Sequence, residues 1–506
     1  MAPHIERCTA KGFRVKFIAL LRLVPVLFAV LPLPAARADT LEEAVRKAYD
    51  NNPGLAGNRA LTRAADELVT QAKGAYGPSL TLSASHDYSL RRTAIEDSIF
   101  EEEGFGTTAS VTLSQPIFTS GRLASGLDAA RAGRMVAREN LRAGTQQLIL
   151  DVVSAYASLR RDIALYGVAK EIHGLLRQQR DVTLARFRLR DSTQPDVDQT
   201  DNRLQIAARR VIVARAAVEA SAARYRNLVG TYPERLEPLP ALPDPPTLET
   251  LYVEAEAHNP ALPAARFTER RSRAAVAAAR AAMGPQVSVF ATGQRAPVTP
   301  YQNTNHTESI VAGVGVTMPL NSGGQLSAAV REATQRNLAD QQFTEQTRRD
   351  MRETLATDWN LYRAASEALP RYQAAVRAAE SAVAGVKQQE TSGIRTLRDV
   401  LDVTNDLLTA RTSAAETQAE LYIRKAAVLR DTGLLTIGLF SDEAAYDPDS
   451  YRPTASVLAG LPLRPALDPI DRLLRDSHVR PTRIEIEDSA AFEWEGTHDA
   501  APQPPR

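Results

Sequence analysis

From residue 80 to residue 90 the chain alternates strictly. Leu80, Leu82, Ala84, His86, Tyr88 and Leu90 fall on one parity, and Thr81, Ser83, Ser85, Asp87 and Ser89 on the other. A period of two with one apolar and one small, polar face predicts a β-strand. The alternation returns at Ala109, Val111 and Leu113 against Ser110, Thr112 and Ser114, beyond a polar loop containing Glu101-Glu102-Glu103-Gly104. Later, Ile310, Ala312, Val314, Val316 and Met318 alternate with Gly and Thr, after a poorer candidate strand from Val287 to Arg295. Elsewhere the period is helical. Leu148, Val152, Tyr156, Leu159, Ile163 and Tyr166 step by three or four, and no proline interrupts the pattern from Gly121 to about Arg190. That run allows a single helix roughly 100 Å long. Shorter helical patterns cover about 41–75, stopped by Gly77-Pro78, and about 196–230. Two more cover about 325–390 and 398–432, the first containing Pro370, which is expected to kink or break it.

The pattern is duplicated. Leu41-Glu42, Asn52-Pro53 and Gly77-Pro78 recur 207 residues later as Leu248-Glu249, Asn259-Pro260 and Gly284-Pro285. Pro116, Gly121, Asp196-Val197, Asn202 and Gly230 recur 203 residues later as Pro319, Gly324, Asp399-Val400, Asn405 and Gly433. Each unit reads helix, strand, strand, long helix, helix. The expected organisation is a first repeat over 39–232, a proline-rich linker over 233–246, a second repeat over 247–440 and a flexible tail over 441–506.

Residues 1–38 read as a secretory signal peptide. Lys11, Arg14, Lys16 and Arg22 precede the apolar stretch Leu23 to Leu33, and Ala36-Arg37-Ala38 supplies a cleavage site before Asp39. Pro25, Pro32 and Pro34 disfavour an uncleaved anchor. The leader carries six basic residues (7, 11, 14, 16, 22 and 37) and one acid, Glu6. Its loss takes the formal charge from +1 to −4. No later segment has 18 consecutive apolar residues, so no membrane-spanning helix is expected. Composition narrows the class further. Aromatic residues are 6% with two Trp, too few for several large globular cores, and Ala-rich chains of this kind form long, closely packed helices. Near-neutral charge excludes a strongly basic nucleic-acid binder. The one cysteine, Cys8, leaves with the leader, so disulfide scaffolds, thiolate metal sites and a lipid-anchoring Cys are excluded. The seven His lack metal-site spacing, and neither a phosphate loop nor a nucleophile elbow occurs. A non-enzyme without a cofactor or structural metal is expected.

Strands with small or polar residues on one face and apolar ones on the other, in an exported chain, fit an outer-membrane barrel. Four strands do not close one, and an open edge in lipid leaves backbone groups unpaired. Copies must therefore associate: two give eight strands, three give twelve.

The chain resembles the TolC family of outer-membrane channels over nearly all of 40–440. The resemblance rests on both Asn-Pro motifs, the Gly-Pro before each first strand, Gln115-Pro116-Ile117-Phe118 with Ser120-Gly121-Arg122, and the run from Gly393 to Asp402. It implies a mainly α protein with transmembrane β: a homotrimer whose 12-stranded β-barrel continues as a long α-helical barrel in the periplasm of a Gram-negative bacterium. By the same resemblance, Asp399 and Asp402 project into the periplasmic entrance as selectivity rings that hold blocking cations. Asp196 and Arg395 close the gate through hydrogen bonds and ion pairs between helices. The read from local chemistry differs, since acids in a helix's first turn complement its dipole. Two positions depart from the family. Glu390 stands where a tyrosine often partners the Asp196 position, and Arg190 replaces the glycine that Gly393 keeps at the other adaptor-docking tip. Arg190 is expected to pair with an acidic neighbour. Arg186-Phe187, Thr193, Asp196-Val197 and Gln199 resemble the type I secretion branch, which implies export of an unfolded protein with an inner-membrane ABC transporter and a periplasmic adaptor. A tripartite drug or metal efflux channel is the alternative, and a soluble periplasmic scaffold a third.

Overall fold

A computed structural model describes residues 40–233, 235–441 and 444–453. The expected signal peptide and most of the expected tail lie outside the described residues. The first repeat contains α1 (Leu41–Asn51), α2 (Pro53–Gly74), β1 (Ser79–Ile95), β2 (Ser98–Phe118), α3 (Arg122–Arg188) and α4 (Gln194–Val229). The second contains α5 (Leu248–His258), α6 (Ala261–Ala281), β3 (Gln286–Thr299), β4 (Gln302–Thr317), α7 (Gln325–Thr391) and α8 (Leu397–Asp431). Both long helices, α3 and α7, have 67 residues.

The single helix expected over 41–75 is two. Asn52 ends α1 and starts α2: its Oδ1 accepts from the Gly54 and Leu55 amides at 2.9 and 3.2 Å, and Pro53 follows in the first turn, where no N–H is needed. Its Nδ2 donates to the Leu228 carbonyl at 3.3 Å, near the end of α4. Asn259 repeats both contacts, accepting from Ala261 N at 2.8 Å and donating to Asp431 O at 2.7 Å. Leu228 and Asp431 are themselves equivalent positions, 203 apart. Each Asn-Pro motif thus caps one helix and pins the bend to the far end of its repeat. The break expected at Pro370 does not occur, and α7 runs through it. A proline removes one rung of a helix, and α7 packs against α8, with Arg411 reaching Glu380 at 2.7 Å ten residues beyond Pro370. The equivalent residue in α3 is Gly167.

The four strands form one antiparallel sheet in the order β1-β2-β3-β4. The acids expected in a polar loop belong to β2. Leu90 pairs with Glu103, Arg91 with Glu102 and Arg92 with Glu101, and Arg92 also binds Glu101 through its guanidinium at 2.9 Å. Opposite charges across a ladder favour pairing, and they hid the strand from a reading based on apolar alternation. The register puts Leu80 beside Leu113, Leu82 beside Val111, Val289 beside Val314 and Val287 beside Val316 on one face. On the other face Thr81 pairs with Thr112, whose hydroxyl is 3.2 Å from that of Thr292.

The main core lies midway along the long helices, where α1, α3 and the ends of α4 and α8 meet around Tyr156, Tyr225, Val152, Val153 and Leu159. The proline-rich segment is fastened to it: Leu242 is buried, Glu237 O accepts from Tyr156 Oη at 2.9 Å, and Asp244 pairs with Lys425 at 2.5 Å. Residues 444–453 are likewise docked, which corrects the expectation of a flexible tail for that stretch. The Tyr446 amide donates to Tyr49 Oη at 2.8 Å, Asp449 meets Arg138 at 2.6 Å, and Tyr451 Oη donates to Glu67 at 2.5 Å. Arg59 lies between the Tyr49 and Tyr446 rings.

Candidate functional site

Two features of this fold are candidates for function: the two-faced sheet and, at the far end of the long helices, a pair of helical hairpin tips. Leu80, Leu82, Ile310, Val314 and Val316 are all exposed on one sheet face, Ile310 to 88%. Such a face is stable against lipid or another apolar surface, not against water. Among the described residues no helix is long and apolar enough to cross a membrane, which says nothing of strands.

The tips are built alike. Each long helix ends in a turn whose closing residue has a positive φ, Arg190 at 64° and Gly393 at 74°. In both, the amide of the next residue donates back to the carbonyl five positions earlier: Asp191 N to Arg186 O and Ile394 N to Gln389 O, each 2.9 Å. This is the helix-ending motif that glycine serves best. Arg190 adopts it at a steric cost, and no ion pair of its side chain is found among the described residues.

The following helices begin with matched capping boxes. Asp196 Oδ2 accepts from Thr193 N at 3.0 Å and Thr193 Oγ1 at 2.7 Å, with Ser192 Oγ at 3.2 Å. Asp399 Oδ2 accepts from Thr396 N and Oγ1, both at 2.9 Å. The Thr193 hydroxyl and amide hold Asp196 below the ordinary carboxylate pKa. The Thr396 amide and hydroxyl do the same for Asp399, helped by Arg395 and Arg398. Both acids therefore have one oxygen folded back on their own helix. Asp402, one turn further into α8, is freer: its side chain is 57% exposed, with Arg203 of α4 and Arg398 each 3.9 Å away. Arg395 and Gly393 are exposed in the tip turn.

Glu390 meets a cation instead of the like-charged Asp196. Although 7% exposed, it lies 2.5 Å from Arg186 of α3, so the two long helices are joined near their ends. A second inter-helix junction escaped the sequence reading. Arg411 of α8 reaches Glu171 of α3 at 2.6 Å and Glu380 of α7 at 2.7 Å. Its partners are 240 and 31 residues away, and an isolated Arg in an Arg-rich helix carries no signal of them. A third lies near the core: Asp358 meets Arg424 at 2.9 Å and Arg430 at 3.6 Å, and Arg430 binds Asp431 at 2.5 Å. Burial pushes the Asp431 carboxyl up to about 7, against the pull of Arg430 and with the push of Asp358.

Comparison with known proteins follows the same two-part division. A family model described as outer membrane efflux protein matches residues 44–231 and again 251–434. The outer membrane efflux protein BepC of Brucella suis is 27% identical over 84% of this chain and 91% of its own length. Outer membrane protein TolC of Escherichia coli is 24% identical over 79% of this chain and 83% of its own. The alkaline protease secretion protein AprF of Pseudomonas aeruginosa is 26% identical over 60% and 64%. Among solved structures, the Campylobacter jejuni CmeC outer membrane channel superposes with a TM-score of 0.69 at 15% identity, covering 81% of this chain and 88% of that one.

Proposed function

The chain belongs to the outer membrane efflux protein family of channel proteins, and from that premise we propose that three copies assemble into an outer-membrane conduit. The observation that carries the proposal is the sheet: apolar and exposed on one face, lined with Thr, Ser and Gly on the other, and ending at two unpaired edge strands, β1 and β4. Edges cannot remain open in lipid, so β4 of one copy pairs with β1 of the next. Three copies close a barrel of twelve strands with a passage, and the long helices continue it into the periplasm. In this reading 1–38 is a cleaved leader, the repeats span 39–232 and 247–440, and 233–246 joins them.

At the tips, three copies bring Asp402 and the remaining oxygen of Asp399 together around the entrance. Like charges there draw in cations and let multivalent ones block. In this assembly the exposed Arg395 and the remaining oxygen of Asp196 would close the gate against neighbouring copies, Arg186–Glu390 fastens α3 to α7, and the turns at Arg190 and Gly393 would meet an adaptor protein. The cargo is an unfolded polypeptide passed from an inner-membrane ABC transporter through that adaptor. This rests on Arg186-Phe187, Asp196-Val197 and on AprF, a protein named for protease secretion. Drug or metal efflux is the second reading, favoured by the longer match to BepC. Deleting the gene and measuring both secreted proteins and drug susceptibility separates them: loss of a secreted protein with unchanged susceptibility supports secretion, and the reverse supports efflux.

A further inference from the structure

The turn between β3 and β4 does not stand above the sheet; it lies on it. Pairing of β2 with β3 runs from the helix side as far as Ala109 beside Arg295, while β3 itself continues to Thr299. Pro297, where the β3–β4 register also shifts, brings no amide to a ladder. Past that point β2 carries Gly104 and Gly106. A Cβ on Gly104 would strike the Tyr301 carbonyl. One on Gly106 would strike the Pro300 carbonyl and come within 3.3 Å of Pro297 Cγ. Gly106 is the one buried residue in the four strands. Two side chains fix the seat. Tyr301 Oη donates to Glu102, Asn303 Oδ1 accepts from the Thr107 amide at 2.7 Å, and Asn303 Nδ2 donates to Thr107 Oγ1 at 3.2 Å.

Register decides which face the turn covers. From Ser114 to Ser98, β2 pairs with β1 without a shift, so Gly104 and Gly106 share a face with Thr108, Ser110 and Thr112. That is the polar face, where the Thr112 hydroxyl meets that of Thr292. Gly106 lies twelve residues short of the helix-side end of β2 at Phe118. At the usual rise and barrel tilt this is roughly 30 Å along the axis, beyond an apolar band about 25 Å tall. We propose that residues 297–303 form a flap folded into the conduit at its outer rim. Three flaps, one from each copy, make a constriction at the extracellular mouth, separate from the one at the helical tips. The inference rests on the trimeric-barrel reading. Glycine at 104 and 106 lets backbone lie on backbone. Only a few hydrogen bonds hold the flap, so a passing cargo lifts it while the strands stay paired; Tyr301 and Asn303 are its positioning residues.

The one cysteine of the chain, Cys8, lies within the expected leader, so Thr292→Cys supplies a single reporter on the polar face, on the helix side of the flap. Full-length protein in intact cells is labelled from outside with two membrane-impermeant maleimides, one small and charged, the other on a long polyethylene glycol chain. The long reagent is expected to react slowly in this background. It should react about tenfold faster once Tyr301→Phe and Asn303→Ala are added, because hydrogen bonds of the seat are lost, with the small reagent unchanged. Gly106→Val, whose side chain fills the seat, should act in the same way and serves if the first variant does not assemble. Equal rates of the long reagent with and without these changes overturn the flap. If the small reagent fails to label position 292 in every background, yet labels it in unfolded protein, the polar face does not line a passage and the barrel reading falls instead, so the two failures are distinguishable.

Discussion

The Arg186 guanidinium stands 2.5 Å from Glu390 Oε1, tying the last turns of the two long helices together across the repeat boundary. Glu390 is buried, so removing Arg186 strands a charge. Breaking a buried pair costs about 3–5 kcal/mol, and partial exposure of Arg186 reduces this to about 2 kcal/mol. Arg186→Ala is expected to raise basal single-channel conductance, and more than Glu390→Gln does, since the latter leaves an exposed cation behind. The charge swap Arg186→Glu with Glu390→Arg should return conductance towards wild type. Wild-type conductance in Arg186→Ala would refute the latch.

Asp399 and Asp402 differ in what their oxygens already hold. Multivalent-cation block, read in single-channel recordings, should weaken more in Asp402→Asn than in Asp399→Asn, and vanish when both are changed to Ala. Stability should show the opposite order. The Thr396 amide and hydroxyl lower the folded pKa of Asp399. Its stabilising contribution is therefore present above the unfolded carboxylate pKa and lost as pH falls through the lower folded value. Melting curves in acid should show this loss in wild type and not in Asp399→Asn.

Asp431 has the reverse sign. Its folded pKa of about 7 lies above that of an unfolded carboxylate, so the protonated acid is the stable partner in the fold. Its contribution is full below the unfolded pKa and declines as pH rises through about 7. The groups facing it are Arg430 on its own helix and Asp358 on α7, itself held by Arg424; Gln147 of α3 touches Arg430 at 3.2 Å. Thermal stability between weakly acidic and neutral pH should fall in wild type and stay level in Asp431→Asn. A parallel fall in both would sink the assignment.

Much of this fold was legible. Both long helices, their ends and the duplication follow from the apolar period and from Asn-Pro and Gly-Pro pairs whose offset never drifts within a segment. The upper part of the β1–β2 hairpin was not, because Arg91, Arg92 and Glu101 to Glu103 satisfy one another across the ladder while looking like a solvated loop. At the tip, the turn and both Asp positions were readable, but the use of Asp399 as a cap was favoured only by the local chemistry. The partners of Glu390 and Arg411 were beyond reach, since they lie 204 and 240 residues away.

Arg190 marks a cost that can be removed. Non-glycine residues in the left-handed region lose roughly 1 kcal/mol, and among the described residues no ion pair of Arg190 compensates it. Arg190→Gly should stabilise the tip, slowing amide exchange at Asp191 and Ser192. If exchange there is unchanged or faster, the arginine is contributing a contact of its own.

Gly167 and Pro370 occupy the same level of α3 and α7, 203 residues apart. One lacks a side chain to stiffen its turn, and the other lacks the amide that would bond to the preceding turn. Each shaft thus lacks one local restraint at a common height, 21 residues above the helix ends at Arg188 and Thr391. A pull on either tip would flex the pair together there, as two rods jointed at the same elbow, while the tightly filled middle above stays still.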